Sequence, residues 1–252
     1  MSGLEGSVDR IAAETGFSGV VRVDRGDDVQ LVKAYGLAHR GFHIANAVDT
    51  QFAIASGTKG LTSLTVVSLI EEGRLKLTTT ARSVLGEDLP LIDNEVTVEQ
   101  LLAHRSGIGD YFDEEADRPI TDYVLAVPVH ELATTEPYTR VLDGYPSKFP
   151  PGERFSYCNG GYVVLALIAE RSSGTPFHEL VAQRVCRPAG MRDTHFVPPS
   201  PHLGYGGCRA EPVPSRSNLG GQTAGLDDGD GQIGRPPPSS EKGRWAGPGY
   251  VG

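Results

Sequence analysis

The chain has 252 residues, with 23 Lys and Arg against 32 Asp and Glu, for a formal net charge of −9. That length holds one large domain or two modest ones, and the acidity argues against a general nucleic-acid or anionic-membrane binder, whose partners demand a basic face. Mean hydropathy is −0.23, and no run of about 18 apolar residues occurs, so a membrane-spanning helix is not expected.

In chain order, Leu4, Val8, Ile11 and Ala12 carry the i, i+4, i+7, i+8 pattern of a short amphipathic helix over residues 4–15. Phe17–Val23 and Val29–Tyr35 are β-rich runs separated by Asp24-Arg25-Gly26-Asp27-Asp28, which predicts a hairpin. Thr58–Glu72 reads as a largely buried helix ended by Gly73. Thr97-Val98-Glu99-Gln100 is a capping-box pattern that opens a short helix through Leu102. Gly161–Arg171 is strongly apolar, with Gly174 past its end, and Thr175 is expected to cap another helix with Pro176 at its first position.

The opening stretch Met1-Ser2-Gly3-Leu4-Glu5 has neither the basic nor the apolar region of a secretory signal. Three cysteines (Cys158, Cys186 and Cys208) make no even framework and no C-x-x-C. A reduced, cytoplasmic protein is the expectation. Beyond residue 198 the character changes: of the last 55 residues 13 are Gly and 9 are Pro. Such a composition cannot build its own core. The expected organisation is a folded body over residues 1–203 and an irregular Gly/Pro-rich tail over 204–252.

The sharpest chemical feature is Ala55-Ser56-Gly57-Thr58-Lys59-Gly60 at the start of the buried helix. An i, i+3 spacing puts Ser56 and Lys59 one turn apart on one helical face. A serine hydroxyl becomes a competent nucleophile when a neighbouring base takes its proton, and a lysine does this once its pKa falls toward neutrality. A helix N-terminus also aims backbone N–H groups at developing negative charge. The second feature is Tyr157-Cys158-Asn159, just ahead of the apolar helix. A phenol can shuttle a proton to a leaving group, and an amide can hold the lysine or a substrate carbonyl. Composition alone would bring the two spacings together in roughly one chain in twenty.

Three stretches set these motifs in context: Phe52–Lys59, Leu101–Ile108 and Pro151–Tyr162, followed by Pro188–Phe196. Together they resemble successive blocks of the serine β-lactamase-related family, which groups class C β-lactamases, DD-peptidases, family VIII esterases and related amidases. The resemblance runs from about residue 15 to 200. It implies an α/β fold of the β-lactamase/transpeptidase type, a helical domain against an antiparallel sheet. It also implies Ser56 as the acylated nucleophile, Lys59 as its general base and Tyr157 as the proton shuttle. Asn159 would orient substrate or Lys59, and the Ser56 backbone N–H would form half an oxyanion hole.

The family carries a third motif on a sheet strand, and the candidate here is Trp245-Ala246-Gly247, which makes Trp245 and Gly247 expected substrate-binding residues. The following residue, Pro248, has no N–H to complete the oxyanion hole. Losing one such donor costs about 3–4 kcal/mol of transition-state stabilisation. With the family's later strands absent from the pattern, the sheet is expected to be incomplete on its C-terminal side and the hairpin a lone ribbon. A truncated or frame-altered member is the corresponding expectation.

Other motifs read as structural. His104 has no legible carboxylate partner, Cys158 reads as inward-facing filler, and Asp113-Glu114-Glu115-Ala116-Asp117 reads as a solvated acidic loop. His39 and His43 lie outside any confident helix, and the His130-Glu131 and His178-Glu179 pairs lack the second His of a zinc motif. No metal or other cofactor is indicated. The sequence thus points to a serine acyl hydrolase acting through an acyl-enzyme on a small-molecule ester, amide or β-lactam, with no nucleic-acid or membrane partner and association into oligomers open. Esters and small amides are favoured over β-lactams, because no export signal is seen. The alternative is a catalytically impaired homologue that serves only as a binding module or has no function.

Overall fold

The computed structural model describes residues 3–117, 119 and 122–196. The described residues fall into two compact units, 3–52 and 53–196. The expected boundary at residue 203/204, and with it Trp245, Gly247, Pro248 and Cys208, lies outside them.

The first unit opens with helix α1, Gly3–Thr15, of which only Ala12 is buried. Strands β1, Gly19–Arg25, and β2, Asp28–Tyr35, form an antiparallel hairpin with Gly19 opposite Tyr35 and a bulge at Val23/Asp24. The ladder runs further into the expected bend than composition suggests. Arg25 pairs with Asp28, so the turn is only Gly26-Asp27, with Gly26 at φ +60° where a left-handed backbone is unstrained for glycine. Lys33 ties the hairpin to α1, its Nζ lying 3.2 Å from Glu5 and 2.8 Å from Asp9. The Tyr35 hydroxyl donates to Asp9 at 2.9 Å. A second, short ladder joins β3, Leu37–His39, to β4, Ile44–Ala45. Among the described residues each sheet has two strands, and Val29 and Val32 on β2 are exposed.

The second unit is built around one helix. Helices α2 (Thr58–Glu71), α3 (Ala81–Leu85), α4 (Val98–Leu102) and α7 (Phe177–Val181) all pack against α6, Asn159–Ser173. A helix apolar on every side must be surrounded, and every residue of α6 from Asn159 to Ala169 is buried. Between α4 and α6 lies the short α5, Thr139–Leu142. Local chemistry sets the ends of these helices. Gly73 follows α2 at φ +73°, and Gly174 closes α6 in the left-handed region. At α4 the capping box is complete: the Thr97 hydroxyl accepts the Gln100 N–H while the Gln100 side chain accepts that of Thr97. Pro176 departs from expectation. Its ψ of 136° is extended, so it caps α7 rather than beginning it, and the helix starts at Phe177. The Thr175 side chain plays no capping part there. After α7 the chain widens into a π-turn, Ala182–Cys186. Among the described residues no helix is long and apolar enough to cross a membrane.

Candidate active site

Ser56 sits on a single 3-10 turn, Ala55–Gly57, that runs directly into α2. Ala55 is held at φ +44°, a left-handed conformation unfavourable for a residue with a Cβ and of the kind that collects at functional sites. The turn is closed by Gly57 N–H donating to Ile54 O at 2.8 Å and by the Thr58 hydroxyl donating to Ala55 O at 2.7 Å. Ser56 is exposed, whereas Lys59, one turn on, is only 7% exposed.

The two motifs meet. Lys59 Nζ donates to Ser56 Oγ at 3.2 Å and to Asn159 Oδ1 at 3.0 Å. The Tyr157 hydroxyl donates to the same Ser56 Oγ at 2.9 Å, across 101 residues of sequence. The ammonium also lies 4.9 Å from the Tyr157 ring centroid and 5.7 Å from that of Tyr162, within cation–π range. Ser56, Lys59, Tyr157 and Asn159 are therefore one contiguous cluster within the second unit.

Tyr157 is aimed by the segment that carries it. Ser156 N–H donates to His104 O at 2.9 Å, and Cys158 N–H donates to His104 Nδ1 at 3.1 Å, so the backbone on both sides of Tyr157 is fastened to one histidine. The His104 ring stacks on Tyr157 with centroids 4.5 Å apart and 29° between planes. His104 itself is left-handed, at φ +54°. Burial first, and then the nearby Lys59 charge, hold its imidazole below the ordinary value of 6.5. A neutral ring with Nδ1 accepting carries its proton on Nε2. The structural reading of His104 thus gains a specific content: it buttresses the phenol.

Cys158 is the inward filler the sequence suggests, and its Sγ also accepts the Gly161 N–H at 3.2 Å as the N-cap of α6. Burial pushes its thiol far up, which keeps it protonated and inert.

The acidic run needs correction. Asp113 pairs with Lys148 at 3.1 Å, Glu115 accepts the Ser156 hydroxyl at 2.8 Å, and Glu114 accepts from Asn159 Nδ2 at 3.2 Å. The loop is spent on the site's supports, not on solvent alone. Nothing local in the sequence singles out Asp110. It is buried, and its oxygens accept the N–H groups of Asn159 and Gly160 at 2.5 and 2.9 Å. The available signal was an aspartate two residues past the Leu101–Ile108 block. Among the described residues no three His, Cys, Asp or Glu side chains gather as a metal would require, and the His39 ring lies tilted against Phe42, its Nδ1 accepting the Phe42 N–H at 3.1 Å.

Comparison with known proteins finds relatives of this chain. A family model described as Beta-lactamase matches residues 4–227. Esterase EstB of Burkholderia gladioli is 32% identical over 226 residues, covering 86% of this chain and 57% of its own length. Among solved structures, a penicillin-binding protein from Bacillus halodurans superposes with a TM-score of 0.69 at 34% identity, over 75% of this chain and 57% of that one. The octameric penicillin-binding protein homologue from Pyrococcus abyssi gives 0.60 at 29% identity, over 75% and 43%. The chain spans about half the length of the curated relatives it matches. With these matches, and with serine, lysine and tyrosine assembled on the expected α/β, β-lactamase/transpeptidase-like fold, the chain belongs to the beta-lactamase family.

Proposed function

We propose that the chain is a serine acyl hydrolase that works through an acyl-enzyme on a small ester, amide or β-lactam. The observation that carries this reading is the Ser56 hydroxyl, exposed and flanked by Lys59 Nζ at 3.2 Å and Tyr157 OH at 2.9 Å.

In the forward step Lys59 Nζ takes the Ser56 proton while Oγ attacks the substrate carbonyl. The oxyanion that forms is met by the backbone N–H of Ser56. As the tetrahedral adduct collapses, the bond to the leaving group breaks and Tyr157 delivers a proton to it, resupplied from Lys59. Water then attacks the acyl-enzyme by the reverse sequence and regenerates Ser56. Asn159 Oδ1 keeps the lysine in reach throughout. The chemistry as written draws on side chains and backbone alone, and it lies within residues 1–203. Trp245 and Gly247 would contribute the substrate-binding third motif.

A second reading, an impaired homologue, is favoured by Pro248, which cannot supply an oxyanion N–H. Incubation with a fluorophosphonate or a penicillin, followed by intact mass, separates the two. The hydrolase reading expects one adduct per chain, absent in Ser56→Ala. Folded wild type that takes up no label supports the impaired reading.

A further inference from the structure

The first turn of a helix leaves four N–H groups without helical partners. At α6, side chains take three of them: Cys158 Sγ accepts the Gly161 N–H, and the two oxygens of Asp110 accept those of Asn159 and Gly160. Asp110 is only 6% exposed. Burial pushes its carboxyl up, and the N–H groups of Gly160, Phe112 and Asn159 pull it back. Gly160 has close neighbours. A Cβ there would lie 3.2 Å from Asp110 Oδ1 and 3.1 Å from Leu142.

Asp110 also reaches the other end of Asn159. Its Oδ1 accepts the Phe112 N–H at 3.2 Å, which folds the loop so that the Phe112 carbonyl accepts Asn159 Nδ2–H at 3.0 Å. Glu114 Oε1 lies 3.2 Å from the same nitrogen. An amide can present either end to a neighbour. With its nitrogen committed to the loop, Asn159 must present Oδ1 to Lys59, and it does so at 3.0 Å. One buried carboxylate therefore sets both the backbone and the amide orientation of the residue that grips the lysine.

We infer that Asp110 is a positioning residue for acyl transfer, acting through Asn159 to hold the Lys59 amine against Ser56. The inference rests on the proposed acyl-enzyme function. If Asp110 were only a helix cap, its replacement would cost stability and leave the site's geometry unchanged.

The test uses the full chain as wild type, Asp110→Asn and Asp110→Ser, the last keeping one capping oxygen. With nitrogen-15-labelled asparagine, hydrogen exchange of the Asn159 side-chain amide is followed by NMR. Folded Asp110 variants are expected to lose about tenfold of its protection, the equivalent of one hydrogen bond. Unchanged protection overturns the inference. In parallel, fluorophosphonate acylation of Asp110→Asn is expected to slow about tenfold to a hundredfold. Combined with Asn159→Ala, it should acylate no slower than Asn159→Ala alone, because the two act in series. Losses that multiply overturn the inference. A wild type that takes no label overturns the functional reading instead, and the exchange result still decides the positioning. Should neither variant fold, the wild type is followed across the pH range in which the Asn159 and Gly160 amide protons report Asp110 ionisation. Protection of the Asn159 side chain that ignores that titration overturns the inference.

Discussion

The two units solve the same problem at different depths. In the second, α6 is buried from Asn159 to Ala169, and its first turn is held by Cys158 and by Asp110, brought from 49 residues earlier. In the first, α1 buries only Ala12, and the β1–β2 hairpin leaves Val29 and Val32 exposed. Its ties to α1 are ion pairs and a phenol hydrogen bond that solvent reaches. Exposed ion pairs contribute little, whereas burial of large apolar side chains contributes kilocalories each. The site residues Ser56, Lys59, Tyr157 and Asn159 all stand in the unit with the dense core. Geometry precise to a few tenths of an ångström needs supports that cannot relax.

Substitutions should widen or close this difference. The largest effect is expected at Leu165, which is fully buried in α6. Leu165→Ala should cost about 2–5 kcal/mol of unfolding free energy in urea. The same truncation at exposed Val32 should stay within about 0.5 kcal/mol. Comparable losses at both positions would erase the contrast. At the site, Tyr157→Phe should leave Ser56 able to take label and slow turnover by about 10²–10⁴-fold, read as a persistent acyl adduct by mass.

Acid should act on the second unit through its histidines. Burial holds His178 and His104 below their ordinary value of 6.5. The unfolded chain then binds protons first, so their contribution to stability is complete above pH 6.5 and is lost as pH falls through the lower, folded values. Melting temperature should therefore decline below pH 6.5, and His178→Phe should flatten the slope. A melting temperature that rises on acidification through that range would contradict this sign. The smallest expected effect is Thr97→Ala, which removes one half of the capping box on α4 and should cost about 1 kcal/mol.

What was legible in the sequence is what short-range chemistry dictates. Gly26 placed the hairpin turn, Thr97 and Gln100 placed the start of α4, and Gly73 and Gly174 placed two helix ends, because each acts within a few residues. The pairing of Ser56 and Lys59 was legible for the same reason, being one helical turn. That Tyr157 and Asn159 would join them came from resemblance, since nothing local spans a hundred residues. Asp110 escapes because a carboxylate two residues past the Leu101–Ile108 block looks like any loop aspartate until α6 is folded against it. The acidic run misleads in the same way: its composition reads as a solvated loop although Asp113, Glu114 and Glu115 each find a partner in space. Pro176 misled by one residue, because proline suits both a cap and a first helical position and only ψ distinguishes them.

The most direct check of the central claim compares fluorophosphonate acylation rates of wild type and Lys59→Ala by time-resolved intact mass. If Lys59 is the base for Ser56, the wild type gains a single adduct on Ser56 and the variant reacts about 10²–10⁴-fold more slowly. Equal rates in two folded proteins would show that the amine 3.2 Å from Ser56 Oγ takes no part in the chemistry.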